Sequence, residues 1–161
     1  PLLHPGLPMP SRREVLTTGA HACTAALAVA VLPTLLASTS DPQHFMLIGL
    51  TGPENPTRAS LLFAWANALV EAGHTVRLEL AGEGTLLLRS QLTASLTAPG
   101  LPTLPTIMAK TQDLGIPIFL CRACALARGL TDADLEGRNA QFTSGQAMAA
   151  TMEWATKVLV V

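Results

Sequence analysis

The chain has 161 residues, a formal net charge of -1, 13% charged and 49% apolar residues, and a mean hydropathy of +0.40. That length suits one domain with an additional segment, and the low charge excludes a disordered polyelectrolyte. Ten Lys+Arg against eleven Asp+Glu leave no basic excess for nucleic acid, three cysteines are too few to staple a mini-fold, and 4% aromatics without Tyr argue against a base- or sugar-stacking platform.

Residues 1–40 carry only three charges, Arg12, Arg13 and Glu14. Four prolines in residues 1–10 exclude a regular helix there. From Val15 to Ala37 no formally charged residue occurs, and the stretch is rich in Ala, Leu, Val and Thr. A positive pair before an apolar run has the layout of an export signal. Ser11 before Arg12-Arg13 and Val15 after it match a twin-arginine signal, which a receptor reads on folded proteins. The same residues also fit a retained membrane anchor through residues 15–37, or a buried helix. The sequence expectation is thus residues 1–40 as signal or anchor, residues 41–161 as the folded domain, and an exported, periplasmic or membrane-held location.

In the domain, the apolar run Phe45 to Leu50 reads as a strand buried on both faces. Asn55 followed by Pro56 reads as a helix start, with a helix to about Ala72 stopped by Gly73. Thr75 to Leu80 alternates Val76, Leu78 and Leu80 with Arg77 and Glu79, which predicts a half-wet edge strand. Leu86 to Leu96 and Thr106 to Leu114 read as helices, and Ile116 to Leu120 as the third strand, with Pro117 awkward inside it. Cys121 to Arg128 follows as a short helix, Thr131 and Asp134 offer a further cap, Ser144 to Ala155 reads as a helix, and Lys157 to Val161 as a buried strand. Strands alternating with helices predict an α/β fold: a mostly parallel four- to five-stranded sheet with helices on both faces, preceded by an apolar N-terminal helix.

Ligands of open parallel sheets bind beyond the carboxyl ends of the strands. That rim gathers Cys121, Glu83, Glu54, Asn55, Thr57 and Arg58, whereas His44 and His74 fall on the opposite rim. A Cys–His pair and a metal centre are therefore disfavoured, and no cofactor motif occurs: there is no P-loop, no G-x-S-x-G, and Gly82-Glu83-Gly84 lacks the third small residue of a dinucleotide fingerprint. Cys121 and Cys124 form a C-x-x-C pair at a helix start, both on one face. Free helix N–H groups, with Arg122 and Arg128, favour a reactive thiolate at Cys121; the bland alternative is a pair of small buried hydrophobes. Glu54 and Glu83 read as solvated carboxylates or a facing pair, Arg58 as a surface charge or anion contact, and Met148, Met152 and Trp154 as core or subunit contact.

The segments IPIFLCRACALARGLTDADL (116–135) and PENPTRASLLFAWANALVEAGHTVRLELAGEG (53–84) resemble the DsrE/DsrF-like family of sulfur-relay proteins. The most specific feature is a Cys after the third strand with Arg-Gly following, here Cys121 with Arg128-Gly129. The resemblance implies a persulfide at Cys121, thiol or persulfide donor and acceptor proteins as partners, a sulfurtransferase if an enzyme at all, and assembly as trimers or hexamers. Cys124 is variable in such proteins. An export signal departs from the cytoplasmic relays of the family and puts tRNA thiolation in doubt. The alternative is a non-enzymatic subunit of an oligomeric or membrane-associated assembly, with structural cysteines. A weaker third reading is an exported thiol–disulfide oxidoreductase.

Overall fold

The computed structural model describes residues 41–161. The expected signal residues Arg12 and Arg13, the apolar segment 15–37 and Cys23 lie outside the described residues.

Five parallel strands form one sheet in the order β4-β3-β2-β1-β5. β1 (His44–Gly49) leads to α1 (Pro56–Glu71), whose start is fixed as expected: Asn55 Oδ1 accepts from the Arg58 N–H at 3.1 Å, and Pro56 stands in the first turn. β2 (Thr75–Leu80) runs into a 3-10 segment, Gly82–Leu88, and a single turn α2 (Ser90–Thr93), where one helix over 86–96 had been expected. Gly84 explains the tight 3-10 path. Its N–H donates to the Leu50 and Ala81 carbonyls, and a Cβ there would collide with the Gly49 carbonyl oxygen. α3 (Leu104–Asp113) starts at the Thr103 cap, and β3 (Ile118–Cys121) begins after Pro117. The proline therefore lies outside the ladder, where its carbonyl still accepts from the Leu78 N–H at 3.0 Å.

α4 (Arg122–Ala127) ends at Gly129, whose φ of 72° suits glycine. At the next turn the Asp134 carboxylate accepts from both the N–H and the hydroxyl of Thr131. β4 (Ala140–Thr143), absent from the sequence reading, precedes α5 (Gly145–Trp154), which is capped by Ser144 Oγ accepting from the Ala147 N–H at 3.2 Å. β5 (Lys157–Val160) closes the sheet.

β1 to β4 are laid down in one direction, so right-handed crossovers place α1, α3 and α4 on one face. The chain then returns from β4 to β5, which sends α5 to the other face. The first face is the core. Phe45, Leu47, Val76, Leu78, Leu80, Ile118 and Leu120 meet Leu62, Phe63 and Ala66 of α1 and Leu104, Ile107 and Met108 of α3. Each of these larger side chains contributes about 1.5–3 kcal/mol by leaving water, and Ala66 less. Asn67 and Thr111, both buried, tie α1 to α3: Asn67 Nδ2 donates to the Ile107 carbonyl at 3.1 Å, and the Thr111 hydroxyl donates to Asn67 Oδ1 at 2.8 Å.

Among the described residues the second face has a single helix, α5, over five strands. Trp154 of α5 stacks at 4.6 Å on His44 and lies 4.0 Å from the Arg77 guanidinium. Two expectations are corrected here. β2 is central, between β3 and β1, and its Glu79 is 1% exposed. The charged alternation of β2 does not mark an edge, because the face it points to is covered near Glu79 by neighbouring strands and helix ends. Conversely, β5 is not a buried strand. It is an edge, with Val158 45% and Val160 62% exposed, because α5 does not extend over it. Among the described residues no helix is long and apolar enough to cross a membrane.

Candidate functional site at the end of β3

Cys121 is both the last residue of β3 and the N-cap of α4. The apolar strand carries it to the carboxyl rim, and the tight turn into Arg122 brings Cys124 back over it. The Cα atoms of Cys121 and Cys124 are 5.3 Å apart, within the range of about 4.4–6.8 Å that a disulfide spans. The two residues are joined by one. The Cys124 N–H also donates to Cys121 Sγ at 3.3 Å. Both residues are half-buried, so the pair is neither sealed in the core nor freely solvated.

Arg128 locks the pair to the 3-10 segment that follows β2. Its Nη1 donates to the Cys124 carbonyl at 3.0 Å, and its Nη2 donates to Glu83 Oε1 at 2.6 Å. The hydrogen bond from Arg128, then its charge, holds the exposed Glu83 carboxyl below the usual carboxylate range. Glu83 thus anchors Arg128 and is not free in solvent.

The remaining rim candidates play other parts. Glu54 folds back on its own loop, where Oε1 accepts from the Gly52 N–H at 2.8 Å. Asn55 caps α1. Arg58 and Thr57 are exposed in the first turn of α1. Gly52 abuts the Glu83 carbonyl so closely that a Cβ would lie 2.6 Å from that oxygen. The loops after β1 and β2 are therefore in contact, yet Glu54, Asn55 and Arg58 do not line the cavity beside Cys121, and Glu54 and Glu83 do not pair. His44 and His74 lie at the opposite end of the sheet, with His74 Nδ1 accepting from the Gln43 N–H at 3.3 Å. Among the described residues no group of His, Cys, Asp and Glu is arranged to hold a metal ion.

A cavity of about 410 Å³ opens next to Cys121. Arg122, Ala123 and Leu126 of α4 form one wall; Thr143, Ser144, Gly145 and Met148, where β4 enters α5, form the other; Glu79 belongs to the strand beneath. Arg122 is exposed, with its guanidinium 5.3 Å from the Phe142 ring centroid. Burial pushes the Glu79 carboxyl up to about 7, and among the described residues neither of its oxygens has a hydrogen-bond partner. Reading residues alone missed Glu79, Thr143 and Ser144. The available signal was a lone carboxylate in an otherwise apolar strand, and its meaning depended on which face became covered.

The lining is mainly apolar with a few polar groups, as in small-ligand sites. A sulfur at the mouth, a buried acid beneath and an arginine at the rim suit thiol and disulfide chemistry with a small leaving group.

Two solved structures share the architecture. The chain superposes on the crystal structure of the ychN protein from E. coli with a TM-score of 0.55 and 18% identity, over 75% of this chain and 100% of that one. A conserved protein of unknown function from Bacteroides thetaiotaomicron gives a TM-score of 0.55 at 14% identity, over 74% of this chain and 95% of that one. Both show the fold alone. A stretch of 77 residues is 38% identical to the UDP-N-acetylmuramoyl-L-alanyl-D-glutamate--2,6-diaminopimelate ligase of Corynebacterium glutamicum; it takes in 47% of this chain but only 14% of that enzyme's length. The family model described as DsrE/DsrF-like matches residues 43–161, the whole five-stranded sheet with its helices, and the chain belongs to that family, which is associated with sulfur relay.

Proposed function

We propose that the protein is a sulfur carrier in which Cys121 holds a persulfide. The Cys121 thiolate attacks the outer sulfur of a donor persulfide, forming Cys121–S–SH and releasing the donor thiolate. An acceptor thiolate then takes the outer sulfur and restores the Cys121 thiolate. Cys124 provides a resolving step: its thiolate attacks Cys121 Sγ, the inner sulfur–sulfur bond breaks, hydrosulfide leaves and the Cys121–Cys124 disulfide forms. The observation that carries this reading is the placement of Cys121 at a strand end, facing a cavity, with Cys124 within bonding distance across one helical turn. The Cys124 N–H directed at Cys121 Sγ supports a sulfur anion there.

The reading includes export through Arg12 and Arg13 and assembly as a trimer or hexamer. The exposed Val158 and Val160 on the half-covered sheet face support assembly. Replacing Arg12 and Arg13 by Lys should retain the protein in the cytoplasm on cell fractionation, since the receptor reads guanidinium groups; unchanged export would contradict a twin-arginine signal. The carrier chemistry is tested by incubating the reduced protein with a persulfide donor and weighing it. A gain of about 32 Da, one sulfur, is expected in wild type and Cys124→Ala and not in Cys121→Ala. An adduct that survives loss of Cys121 would assign the wrong sulfur.

The disulfide itself favours a second reading, exchange with external thiols. In that case the reduced pair would reoxidise with a disulfide substrate without ever retaining an added sulfur.

A further inference from the structure

The carrier scheme leaves one buried group unused. Glu79 is 1% exposed, and both carboxyl oxygens lack a partner among the described residues. A carboxyl in such a position is costly unless something uses it, because burial without hydrogen bonds disfavours the charged form strongly. Its position is set by the sheet. Glu79 pairs in register with Phe119, and Cys121 lies two residues further along β3. Side chains two apart in a strand share a face, so Glu79 and Cys121 are diagonal neighbours on the same face, and both line the same cavity.

We infer that Glu79 is the proton donor and acceptor for the sulfur chemistry of Cys121. The inference rests on the carrier reading for its substrate, a persulfide, but not for the coupling of the two side chains. In the resolving step, Cys124 thiolate, Cys121 persulfide and protonated Glu79 become the Cys121–Cys124 disulfide, hydrogen sulfide and Glu79 carboxylate. Cys124 forms a bond to Cys121 Sγ, the bond from Sγ to the outer sulfur breaks with its electron pair going to the outer sulfur, and the Glu79 proton neutralises the departing hydrosulfide in the cavity. The charge is -1 on each side. When an external dithiol reduces the Cys121–Cys124 disulfide, the dithiol becomes a disulfide and gives up two electrons and two protons; one proton ends on the Glu79 carboxylate and one on the cysteine pair, which restores Cys124 as a thiolate. Burial of this acid suits the task, since it keeps a carboxyl protonated near neutral pH, where ordinary carboxylates have lost their proton.

The groups around Glu79 set the sign of its response. From β1 it faces its register partner Ile48, and from β3 Phe119 and Cys121. The cavity walls add Arg122 from α4 and the uncharged Thr143 and Met148. Arg77, two residues earlier on the same strand, is stacked on Trp154. Neither Arg122 nor Arg77 makes a hydrogen bond or ion pair with Glu79, so burial sets the direction in which its carboxyl shifts.

The test uses the full chain, reduced, with Glu79→Gln as an isosteric variant and Glu79→Leu as a second. Alkylation of Cys121 by iodoacetamide, followed by peptide mass across pH 6–9, reads the coupling without any persulfide. A Glu79 carboxylate opposes the Cys121 thiolate, so both variants should alkylate about three- to tenfold faster than wild type near pH 8. Sulfide release from the persulfide-loaded protein should fall on the alkaline side in wild type, and at pH 6 it should be about tenfold slower in both variants. Hydrosulfide is already a good leaving group, so a larger loss is not expected. If alkylation profiles superpose for all three proteins, Glu79 and Cys121 are uncoupled and the inference is overturned. If wild type accepts no sulfur while the alkylation profiles differ as expected, the carrier reading fails and the Glu79–Cys121 coupling stands.

Discussion

Burial holds the Glu79 carboxyl at about 7, above its ordinary value of 4.5, so between those values the folded chain keeps a proton that the unfolded chain has lost. By linkage, the folded state is then favoured below the lower value and loses that advantage as pH rises through the upper one. Thermal unfolding should show a melting temperature that falls between pH 5 and 8 in wild type. Glu79→Gln should flatten this dependence and be the more stable protein above pH 7. A wild-type curve with the opposite slope would contradict a buried, unpaired acid. Arg128 makes a different kind of contribution, because its two nitrogens bond to two separate elements. Lysine has no planar fork to reproduce this. Closure of the reduced Cys121–Cys124 pair by oxidised glutathione should be about three- to tenfold slower in Arg128→Ala, with Arg128→Lys in between, since positioning within bonding distance governs such steps. Wild-type closure rates in both variants would show that Arg128 does not position the pair.

Elements with strong local signals were legible in the sequence. The apolar run of β1, the Asn55-Pro56 start of α1 and the Ser144 cap of α5 each act within a few residues, so local chemistry decides them. The placement of Cys121 at the carboxyl end of β3 followed from the same reasoning. β4 was missed because Ala140–Thr143 is only four residues long and has no continuous apolar run. The edge assigned to β2 failed because the order of strands is a property of crossovers, not of alternation within one strand. Glu79 was hidden by that error, since a carboxylate on a supposed wet face asks for no explanation. Only Leu86 to Leu88 of the 3-10 segment were read as regular helix, because the close approach of Gly84 to the distant Gly49 carbonyl, which shapes the segment, leaves no local signal. Gly84→Ala should therefore destabilise the fold by about 1–3 kcal/mol in urea unfolding, the usual cost of forcing atoms into a packed site. Asn67→Ala should cost about 1–3 kcal/mol by leaving buried α1–α3 contacts unsatisfied; an unchanged midpoint in either variant would contradict the role given to it.

Across the whole domain the sheet is asymmetric. One face is buried under α1, α3 and α4, while the other is crossed by α5 and leaves Val158 and Val160 open. The proposed assembly would use that second face. Sedimentation should give a trimer or a multiple of three, with Val160→Asp lowering the mass; a concentration-independent monomer in wild type would contradict it. The same face also carries the cavity, so the sulfur chemistry and the half-covered sheet occupy one side of the molecule. If Cys121 passes sulfur on, the loaded protein must transfer it. The chain is charged with labelled sulfane sulfur, freed of donor, and mixed with a small acceptor thiol, and label is followed into the acceptor persulfide. About one sulfur should be transferred per Cys121, none from Cys121→Ala, and more from Cys124→Ala, where no resolving thiol competes. Equal transfer by Cys121→Ala, or release of the label only as sulfide from Cys124→Ala, would contradict transfer through Cys121.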